Sequence, residues 1–485
     1  MKEKRQPDHA RAGGVLMHVS SLWGGYSEGS LGAAAREWID FLAEGGFRVW
    51  QTLPFCLPDD CDSPYKSTGA FSLNPNFIDL PTLAERGLLT AAELEAAREH
   101  TPYACEFGRL RRERFALLRR AAKRLTDRRP MERFLETHPQ TAAFCRFMAL
   151  KEANGGREWA DWTTDRFDPD ALLAWQFTQY ECYRQWQEIR AYAREKGVSV
   201  VGDLPIYVAY DSSDVWENRN LFQLNGHFRP SAVAGVPPDY FCADGQLWGN
   251  PLYDWDAMKA DGYAWWRARM GFVFELFDGV RIDHFRGFES YYSIPAGETT
   301  ARNGTWIEGP KMDLIRAIRP LCRGKIVIAE DLGVITDGVR ELVRESGFLG
   351  MRVLQFGFLG DENSPHLPHN YPEACVAYTG THDNNTLLGY VWDLDPAARA
   401  RLLAYCGYEG EDWDRSYPAI LRTMFQSHAG LFVLPVQDLL LYGNDTRLNV
   451  PGRSEGNWSY RLTKEQLKTV DTGRFRAWNR MYGRS

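Results

Sequence analysis

Four acidic side chains each follow an apolar run of the sequence, at the point where a buried strand would end. They are Asp203 in GDLP, Asp283 in RIDH, Glu330 in AED and Asp383 in GTHD. Carboxylates gathered in one place repel each other, so they require either a metal ion or a reaction that uses them in different protonation states. Glycosidic bond exchange is such a reaction, because one carboxylate attacks the anomeric carbon while a second, protonated one donates to the leaving oxygen.

The pair Asp283 and Glu330 suits these two roles. Neighbouring strands lie about 4.8 Å apart, so carboxylates that end adjacent strands can reach the roughly 5–5.5 Å separation of retaining enzymes. Arg281 stands two residues before Asp283 on the same strand face, where its charge would keep Asp283 ionised and nucleophilic. Glu330 would lie beside that negative charge in a partly dry site, which raises the pKa of a carboxyl as a general acid requires.

A metal site is the alternative interpretation of these carboxylates. His284 and His382 each lie next to an aspartate, but neighbouring side chains on a strand point to opposite faces and do not easily bind one ion together. We therefore predict that the protein uses no metal and no organic cofactor. For Asp331 we expect a structural role, as a strand-end carboxylate that caps the following helix.

Eight short apolar runs would supply the strands that carry these side chains. They span residues 14–20, 47–53, 198–204, 279–284, 325–331, 351–356, 375–381 and 430–437. Helical patterns lie between several of them, at 33–45, 175–196, 311–321 and 336–346. Eight buried strands that alternate with helices predict an α/β fold, a (β/α)8 TIM barrel whose strand ends converge on one mouth. An open doubly wound sheet is the alternative, although no G-x-G-x-x-G loop follows any of the runs.

The spacing of the runs predicts the domain organisation. We expect a flexible N-terminus over residues 1–13 and a single catalytic barrel domain over 14–485. The long gap between the second and third runs is charged and helix-prone, which indicates a helical insertion at about 80–160. The region at about 207–278 is rich in Gly, Pro and aromatic residues, and long irregular segments of this kind usually cover an active site.

Composition narrows the classes of function. The net charge of -7 gives no support to a nucleic-acid partner. The 9 cysteines are scattered singly, as in proteins of a reducing compartment. The first residues are polar and no stretch reaches the roughly 20 apolar residues of a membrane helix, so we expect a cytoplasmic protein without a membrane partner. Aromatic residues make up 13% of the chain, and those in apparent loops suit a carbohydrate cleft because sugar faces pack on flat rings.

Nine segments in order resemble the 4-α-glucanotransferases called amylomaltases or disproportionating enzymes, glycoside hydrolase family 77 of the α-amylase clan. They are SPY (63–65), GDLPIYV (202–208), AGVPPDYF (234–241), GQLWGNPLY (245–253), RIDHFRG (281–287), GTWIEGP (304–310), IAEDLG (328–333), YTGTHDN (378–384) and NVPG with NW (449–458). The resemblance runs from about residue 14 to about residue 460. It implies transfer of an α-1,4-glucan segment from a donor glucan to the 4-hydroxyl of glucose or a maltooligosaccharide.

The resemblance also implies roles for individual residues. Asp283 resembles the nucleophile, Glu330 the general acid/base, and Asp383 the carboxylate that holds sugar hydroxyls at the cleavage subsite. The residues that resemble the remaining sugar contacts of the clan are Tyr65, Asp203, Arg281 and His382. The residues that resemble the family's cleft-covering loop and its continuation are Asp239, Tyr240, Phe241, Gln246 and Trp248. Such an aromatic flap would favour a sugar acceptor over water, although Trp248 could instead anchor its loop.

Three other functions compete with this interpretation. A hydrolase of the same clan would use the same three carboxylates with water as acceptor. A non-catalytic glucan-binding protein would be expected to lack one of the three. A phosphosugar enzyme would want a Gly-rich phosphate site after the seventh and eighth strands, where this chain has Asp383 instead. The chain also departs from the family at HVSSLWGGY (18–26), at Ser72 and Leu73, and at Lys311, where Gly is usual; these positions bear on acceptor and chain-length preference.

Overall fold

The computed structural model describes residues 11–58, 61–238, 243–410, 412–453 and 455–485. The described strands are, in chain order, β1 Ala12–Leu16, β2 Val49–Gln51, β3 Ser199–Leu204, β4 Ala232–Val236, β5 Gln246–Pro251, β6 Gly279–Ile282, β7 Ser290–Pro295, β8 Thr305–Glu308, β9 Ile326–Ala329, β10 Leu349–Val353, β11 Cys375–Tyr378 and β12 Leu431–Pro435. They form a closed barrel and a separate four-stranded sheet.

The barrel has the strand order β1-β12-β11-β10-β9-β6-β3-β2, and its neighbouring strands pair in parallel. Each of the eight apolar runs of the sequence contributes one of these strands, which confirms the predicted (β/α)8 barrel. Their sequences are mostly apolar because one face packs inside the barrel and the other under the helices. In β12, for example, all five residues are buried.

Helices cover the barrel and occupy most of the chain between β2 and β3. Helix α1 spans Ala33–Glu44, and the helices between β2 and β3 are α2 Leu80–Glu85, α3 Ala91–Ala96, α4 Phe107–Arg109, α5 Phe115–Arg124, α6 Arg129–Thr137, α7 Pro139–Ala153 and α8 Pro169–Glu195. Helix α8 returns to the barrel wall, where Trp186 packs on Trp50 and Phe55 at ring-centroid distances of 5.9 and 4.6 Å. These rings are buried and join the insertion to the core.

An antiparallel sheet with the order β5-β4-β7-β8 stands beside the barrel mouth. Strands β4 and β5 lie within the region 207–278, which the sequence predicted to be irregular, so that prediction is wrong for these two segments. The reason is that β5 is largely exposed and carries no apolar alternation. The helices of the same region are α9 Ser213–Glu217, α10 Trp255–Ala260 and α11 Ala264–Leu276.

The rest of the chain completes the barrel and closes its lower end. The remaining helices are α12 Lys311–Ile318, α13 Asp337–Ser346, α14 Leu354–Gly357, α15 Leu387–Asp393, α16 Pro396–Tyr405, α17 Trp413–Gln426, α18 Val436–Leu439, α19 Lys464–Leu467 and α20 Thr472–Met481. Ala12 and Gly13 belong to β1 and donate backbone hydrogen bonds to Gly430 and Arg484, so the predicted flexible segment 1–13 is too long by at least these two residues. Among the described helices, none is long and apolar enough to cross a membrane.

Candidate active site

The carboxyl ends of the barrel strands open into one cleft with a volume of about 650 Å³. The predicted residues Asp283, Glu330 and Asp383 line it, as do Tyr65, Arg281, His382, Gln246 and Trp248. The predicted residue Asp203 lies in direct contact with this group through Tyr65 and Arg281. Asp239, Tyr240 and Phe241 lie outside the described residues. The structure thus brings together every described residue that the sequence singled out.

Arg281 connects two of the acidic side chains. Its Nη1 donates to both carboxylate oxygens of Asp203 at 3.0 and 2.8 Å, and its Nη2 lies 2.9 Å from Oδ1 of Asp283. Arg281 and Asp283 share a face because they are two residues apart at the end of β6. Burial raises the pKa of Asp203 to about 6, against the opposing charge of Arg281. The guanidinium therefore holds the side chains of Asp203 and Asp283 in fixed positions.

Glu330 lies on the neighbouring strand end and has the opposite electrostatic environment. Strands β6 and β9 pair in register with Ile282 opposite Ala329, so the next residue of each strand also stands side by side. Glu330 accepts hydrogen bonds from the backbone N–H groups of His284 at 2.7 Å and Leu332 at 3.0 Å. Burial raises the pKa of Glu330 from 4.5 to about 7; the Arg281 charge opposes this rise and the Asp283 charge adds to it. The side chain can therefore hold a proton near neutral pH.

His284 follows Asp283 in the chain and contacts Glu330 through its backbone N–H. Its φ of 48° is in the left-handed region, which is strained for a residue with a Cβ. This backbone conformation turns the chain after β6 into the short helical turn Phe285–Phe288 and directs the His284 N–H at Glu330. Burial lowers the pKa of the His284 ring to about 3, so the imidazole is neutral. Trp248 packs edge-on against this ring at 4.8 Å.

Asp383 follows β11, which is two strands away from β9 in the barrel. It is 3.2 Å from Nε2 of His382 and accepts a hydrogen bond from Nδ2 of Asn449 at 2.6 Å. Burial alone would raise the pKa of Asp383, but the His382 interaction and the Asn449 amide hold it below its ordinary value. Although Asp383 sits deep in the cleft, 43% of its side-chain surface is accessible. It is thus an ionised carboxylate that is open to a ligand.

Aromatic rings support His382 from the side of the helical insertion. Tyr65 stacks on the imidazole with 4.9 Å between centroids and donates its hydroxyl to Asp203 at 2.8 Å. Trp458 packs against both rings, at 5.9 Å from Tyr65 and 5.8 Å from His382. The Tyr65 ring is therefore held by two neighbours, and its remaining surface lines the cleft.

The wall formed by β5 carries the other two described substrate candidates. Gln246 accepts a hydrogen bond from Nε1 of Trp248 at 3.1 Å, and both line the cleft. Trp248 also packs at 6.2 Å from the buried Tyr207. The indole therefore contacts its own loop, as the packing alternative expected, while it also faces the cleft.

Several cleft residues escaped the sequence prediction. Asn449 and Trp458 lie within the late NVPG and NW segments, and Arg286 and Trp306 lie within RIDHFRG and GTWIEGP. Trp306 is one of the aromatic residues in apparent loops that suit a carbohydrate cleft, but no chemical signal in the sequence distinguished Asn449, Trp458 or Arg286 from loop or core residues. Their positions depend on long-range packing between separate loops, which local sequence does not encode.

Asp331 has the structural role that was predicted, with different partners. Its carboxylate accepts a hydrogen bond from the N–H of Met351 at 2.6 Å and pairs with Arg352 at 3.3 Å. Both partners belong to the neighbouring strand β10, so the prediction of a helix cap is wrong. The side chain ties β9 to β10 because it points to the outer face of the barrel, opposite to Glu330.

In the described part of the chain, no group of three or more His, Cys, Asp or Glu side chains is arranged to hold a metal ion. The cleft contains Glu330, whose pKa is raised to about 7, and Asp383, whose pKa is below its ordinary value, together with aromatic rings and hydrogen-bonding groups. Carboxylates with separated pKa values serve as acid and nucleophile in glycosidic chemistry.

Comparison with known proteins identifies the family. A family model described as 4-alpha-glucanotransferase matches residues 17–467. The chain is 41% identical over 481 residues to the 4-alpha-glucanotransferase of Streptococcus pneumoniae, with 94% of each chain covered. It is also 41% identical over 492 residues to the 4-alpha-glucanotransferase of Thermus thermophilus, which covers 96% of this chain and 98% of the relative. The solved amylomaltase of Streptococcus agalactiae in complex with acarbose has a TM-score of 0.94 and 34% identity, over 98% of this chain and 100% of that chain. Motifs, fold and matches agree, and the chain belongs to the 4-α-glucanotransferases of glycoside hydrolase family 77.

Proposed function

We propose that the cleft exchanges α-1,4-glucosidic bonds by a retaining double displacement, with Asp283 as nucleophile and Glu330 as general acid and base. The observation that carries this assignment is the contrast between two adjacent strand ends. Asp283 is paired with Arg281 at 2.9 Å, whereas burial raises the pKa of Glu330 to about 7. An ionised nucleophile beside a protonated acid is the arrangement that retaining glycosidic chemistry needs.

The reaction has two balanced steps. In the first, a carboxylate oxygen of Asp283 bonds to the anomeric carbon, the bond from that carbon to the leaving oxygen breaks, and the Glu330 proton moves to the leaving oxygen. In the second, Glu330 takes the proton of the acceptor 4-hydroxyl as its oxygen bonds to the anomeric carbon and Asp283 is released. The products are a shortened donor and a lengthened acceptor, with the number of glycosidic bonds unchanged.

Asp383 would assist both steps from its position after β11. Its charge and its accessible surface suit hydrogen bonds to sugar hydroxyls, and these bonds strengthen as the ring flattens and gains positive charge. Asn449 would orient Asp383, which it contacts at 2.6 Å. Asp383 is therefore assigned to binding of the sugar ring in the transition state.

The remaining residues would hold the glucan donor and its acceptor, glucose or a maltooligosaccharide. Tyr65 offers a ring for stacking below the sugar at the cleavage point, and Asp203 and Arg281 hold Tyr65 and Asp283 in place. The residues assigned to substrate contact on the resemblance alone are His382, Asp239, Tyr240, Phe241, Gln246 and Trp248. An aromatic flap at 240–241 would keep water from the covalent intermediate.

The decisive experiment is incubation with maltotriose, with products resolved by chain length and total reducing ends followed over time. Transfer predicts a ladder of shorter and longer oligomers at constant reducing ends. Shorter products alone with rising reducing ends would overturn the transferase proposal in favour of a hydrolase of the same clan, which family membership already disfavours.

The Asp283→Asn variant tests the nucleophile in the same assay. We expect transfer to fall by at least about 1,000-fold, because loss of a group that acts only in the transition state lowers kcat directly. Asp337→Asn is the matched control, since Asp337 is an exposed helix residue on α13. Near-normal transfer by Asp283→Asn would remove Asp283 from the nucleophile role.

We further propose that residues 14–485 act as one catalytic domain, with a helical insertion at about 80–160, in starch, glycogen or maltodextrin metabolism. Seven of the described cysteines carry free thiols, namely Cys56, Cys105, Cys145, Cys182, Cys322, Cys375 and Cys406, which supports a reducing compartment such as the cytoplasm. Fractionation of cells that express the protein tests the location, and recovery in an oxidising compartment would contradict it.

A further inference from the structure

Trp306 is an exposed aromatic residue of the cleft that the reaction scheme leaves unused. It lies on β8, the edge strand of the antiparallel sheet, and lines the same cleft as Glu330. Its side chain is 41% exposed. Exposure of a large apolar side chain such as tryptophan to water is unfavourable. An indole that stays exposed inside a binding cleft therefore suggests a ligand that covers it.

Arg286 holds the indole in a fixed position. Its guanidinium carbon lies 3.8 Å from the centroid of the Trp306 ring, and Arg286 itself is 5% exposed. The guanidinium donates to the carbonyl oxygen of Val334 and to Oγ of Ser290 at 3.3 Å. Tyr292 meets the ring edge at 5.1 Å. One face of the indole is thus covered by a planar cation, and 41% of the side chain remains exposed.

The position of Arg286 and Trp306 relative to Glu330 determines which sugar unit of the substrate they can contact. Arg286 lies in the turn after Asp283, and its pKa, which burial lowers, is raised in part by the nearby Glu330 charge. Val334, bonded to Arg286, lies in the loop that follows Glu330. Asp383 follows β11, two strands away from β9 in the barrel, and its partner Asn449 lies in the late loop. Trp306 therefore stands on the side of the general acid.

On the proposed mechanism, the acid protonates the oxygen of the leaving chain, so the leaving sugar and then the acceptor must lie on the acid side. We propose that Trp306, backed by Arg286, is the stacking platform for the acceptor glucan and sets the preference of this protein for a sugar over water. The apolar face of a pyranose packs on the open face of the indole, and the acceptor 4-hydroxyl then points toward Glu330. This inference rests on the proposed transferase function.

The test separates the acceptor from the leaving group. The donor is an α-maltosyl fluoride whose non-reducing 4-hydroxyl is blocked, so that it releases fluoride, leaves no sugar in the acceptor site and cannot serve as acceptor itself. Release of fluoride is measured without acceptor and with increasing maltose, and transfer and hydrolysis products are separated. The variants are Trp306→Ala, Trp306→Tyr and, as control, Trp392→Ala, which alters a 56% exposed indole outside the cleft.

We expect Trp306→Ala to raise the KM for maltose and to lower the ratio of transfer to hydrolysis by about tenfold, the factor that equals about 1.4 kcal/mol. Fluoride release without acceptor should stay within about twofold of the parent protein, because the donor side is untouched. Trp306→Tyr should restore most of the ratio, since it keeps a flat ring, and Trp392→Ala should match the parent.

Two results would overturn the inference. If Trp306→Ala forms transfer products with the same maltose KM and the same ratio as Trp392→Ala, the indole has no acceptor role although the protein is a transferase. If the parent protein itself forms no transfer product with maltose, the proposed function fails, and the acceptor platform fails with it. A thermal unfolding curve for each variant shows that the β8 edge remains folded.

Discussion

The raised pKa of Glu330 predicts a specific dependence of stability on pH. The pKa is about 7 in the folded protein against an ordinary value of 4.5, so the folded state binds this proton more tightly than the unfolded chain. The contribution of Glu330 to the free energy of unfolding is therefore fully present below about pH 4.5 and is lost as the pH rises through about 7. At about 1.4 kcal/mol per pKa unit the full difference is about 3 kcal/mol. Partial contact of Glu330 with cleft water reduces the expected loss to about 2 kcal/mol.

The Glu330→Gln variant isolates this contribution. Glutamine cannot ionise, so the free energy of unfolding of the variant does not include the decrease that Glu330 causes between pH 5 and pH 8.5. Its amide also faces the donating N–H of His284 or Leu332, which lowers stability by an amount that does not depend on pH. The free energy of unfolding from urea titrations at the two pH values therefore separates the two effects. We expect the parent protein to lose about 2 kcal/mol more than Glu330→Gln over this range.

Glu341→Gln is the matched control, because Glu341 is an exposed residue of α13 whose side chain is 61% accessible. The free energy of unfolding of Glu341→Gln should change between the two pH values by the same amount as that of the parent protein. The same ionisation should appear in kinetics, where kcat/KM of the parent falls tenfold per pH unit above about 7 as the acid is lost. If the parent and Glu330→Gln show parallel stability curves, Glu330 is not protonated in the folded cleft and its assignment as general acid loses its physical basis.

Two further predictions concern residues outside the catalytic pair. Lys311 has a φ of 48° and stands where glycine is usual in the family, so Lys311→Gly should raise the free energy of unfolding by up to about 1 kcal/mol through relief of backbone strain. Lys311→Ala keeps the strain and should not raise the free energy of unfolding. An equal gain in both variants would refute the strain argument. Asn449→Ala removes the 2.6 Å hydrogen bond to Asp383, and should lower kcat/KM about 10- to 100-fold while it moves the acidic limb of the pH profile upward. A drop in kcat/KM with an unmoved acidic limb would show that Asn449 acts on the fold alone.

The barrel was predictable because its strands are the most distinctive segments of the chain. Each is buried on both faces and reads as a short continuous apolar run, as in the fully buried β12. The antiparallel sheet was not predictable, since β8 is exposed along its whole length and β5 nearly so. Such strands are specified by pairing with their neighbours more than by their own side chains.

The candidate site was predictable to the extent that strand ends encode it. Parallel strands bring their carboxyl ends to one mouth, so Asp283 and Glu330 could be placed together from sequence position alone. Asn449 and Trp306 enter the cleft from loops and an edge strand, and no periodicity fixes where such segments fold. The side-chain partners of Asp331 also escaped prediction, because the direction of a residue past the last strand position depends on the neighbouring strand.

The closure of the barrel between β1 and β12 governs when the protein can fold. Ala12 pairs with Leu431. The edge of β1 that faces β12 therefore has no hydrogen-bonding partner until β12 has been synthesised. At about 5–20 residues per second, synthesis of the intervening chain takes roughly 20–80 seconds. During that time the nascent chain presents the apolar edge of β1 without its partner, and parallel pairing over such a sequence separation is intrinsically slow. This edge of β1 therefore remains exposed in the nascent chain until the ribosome has completed β12.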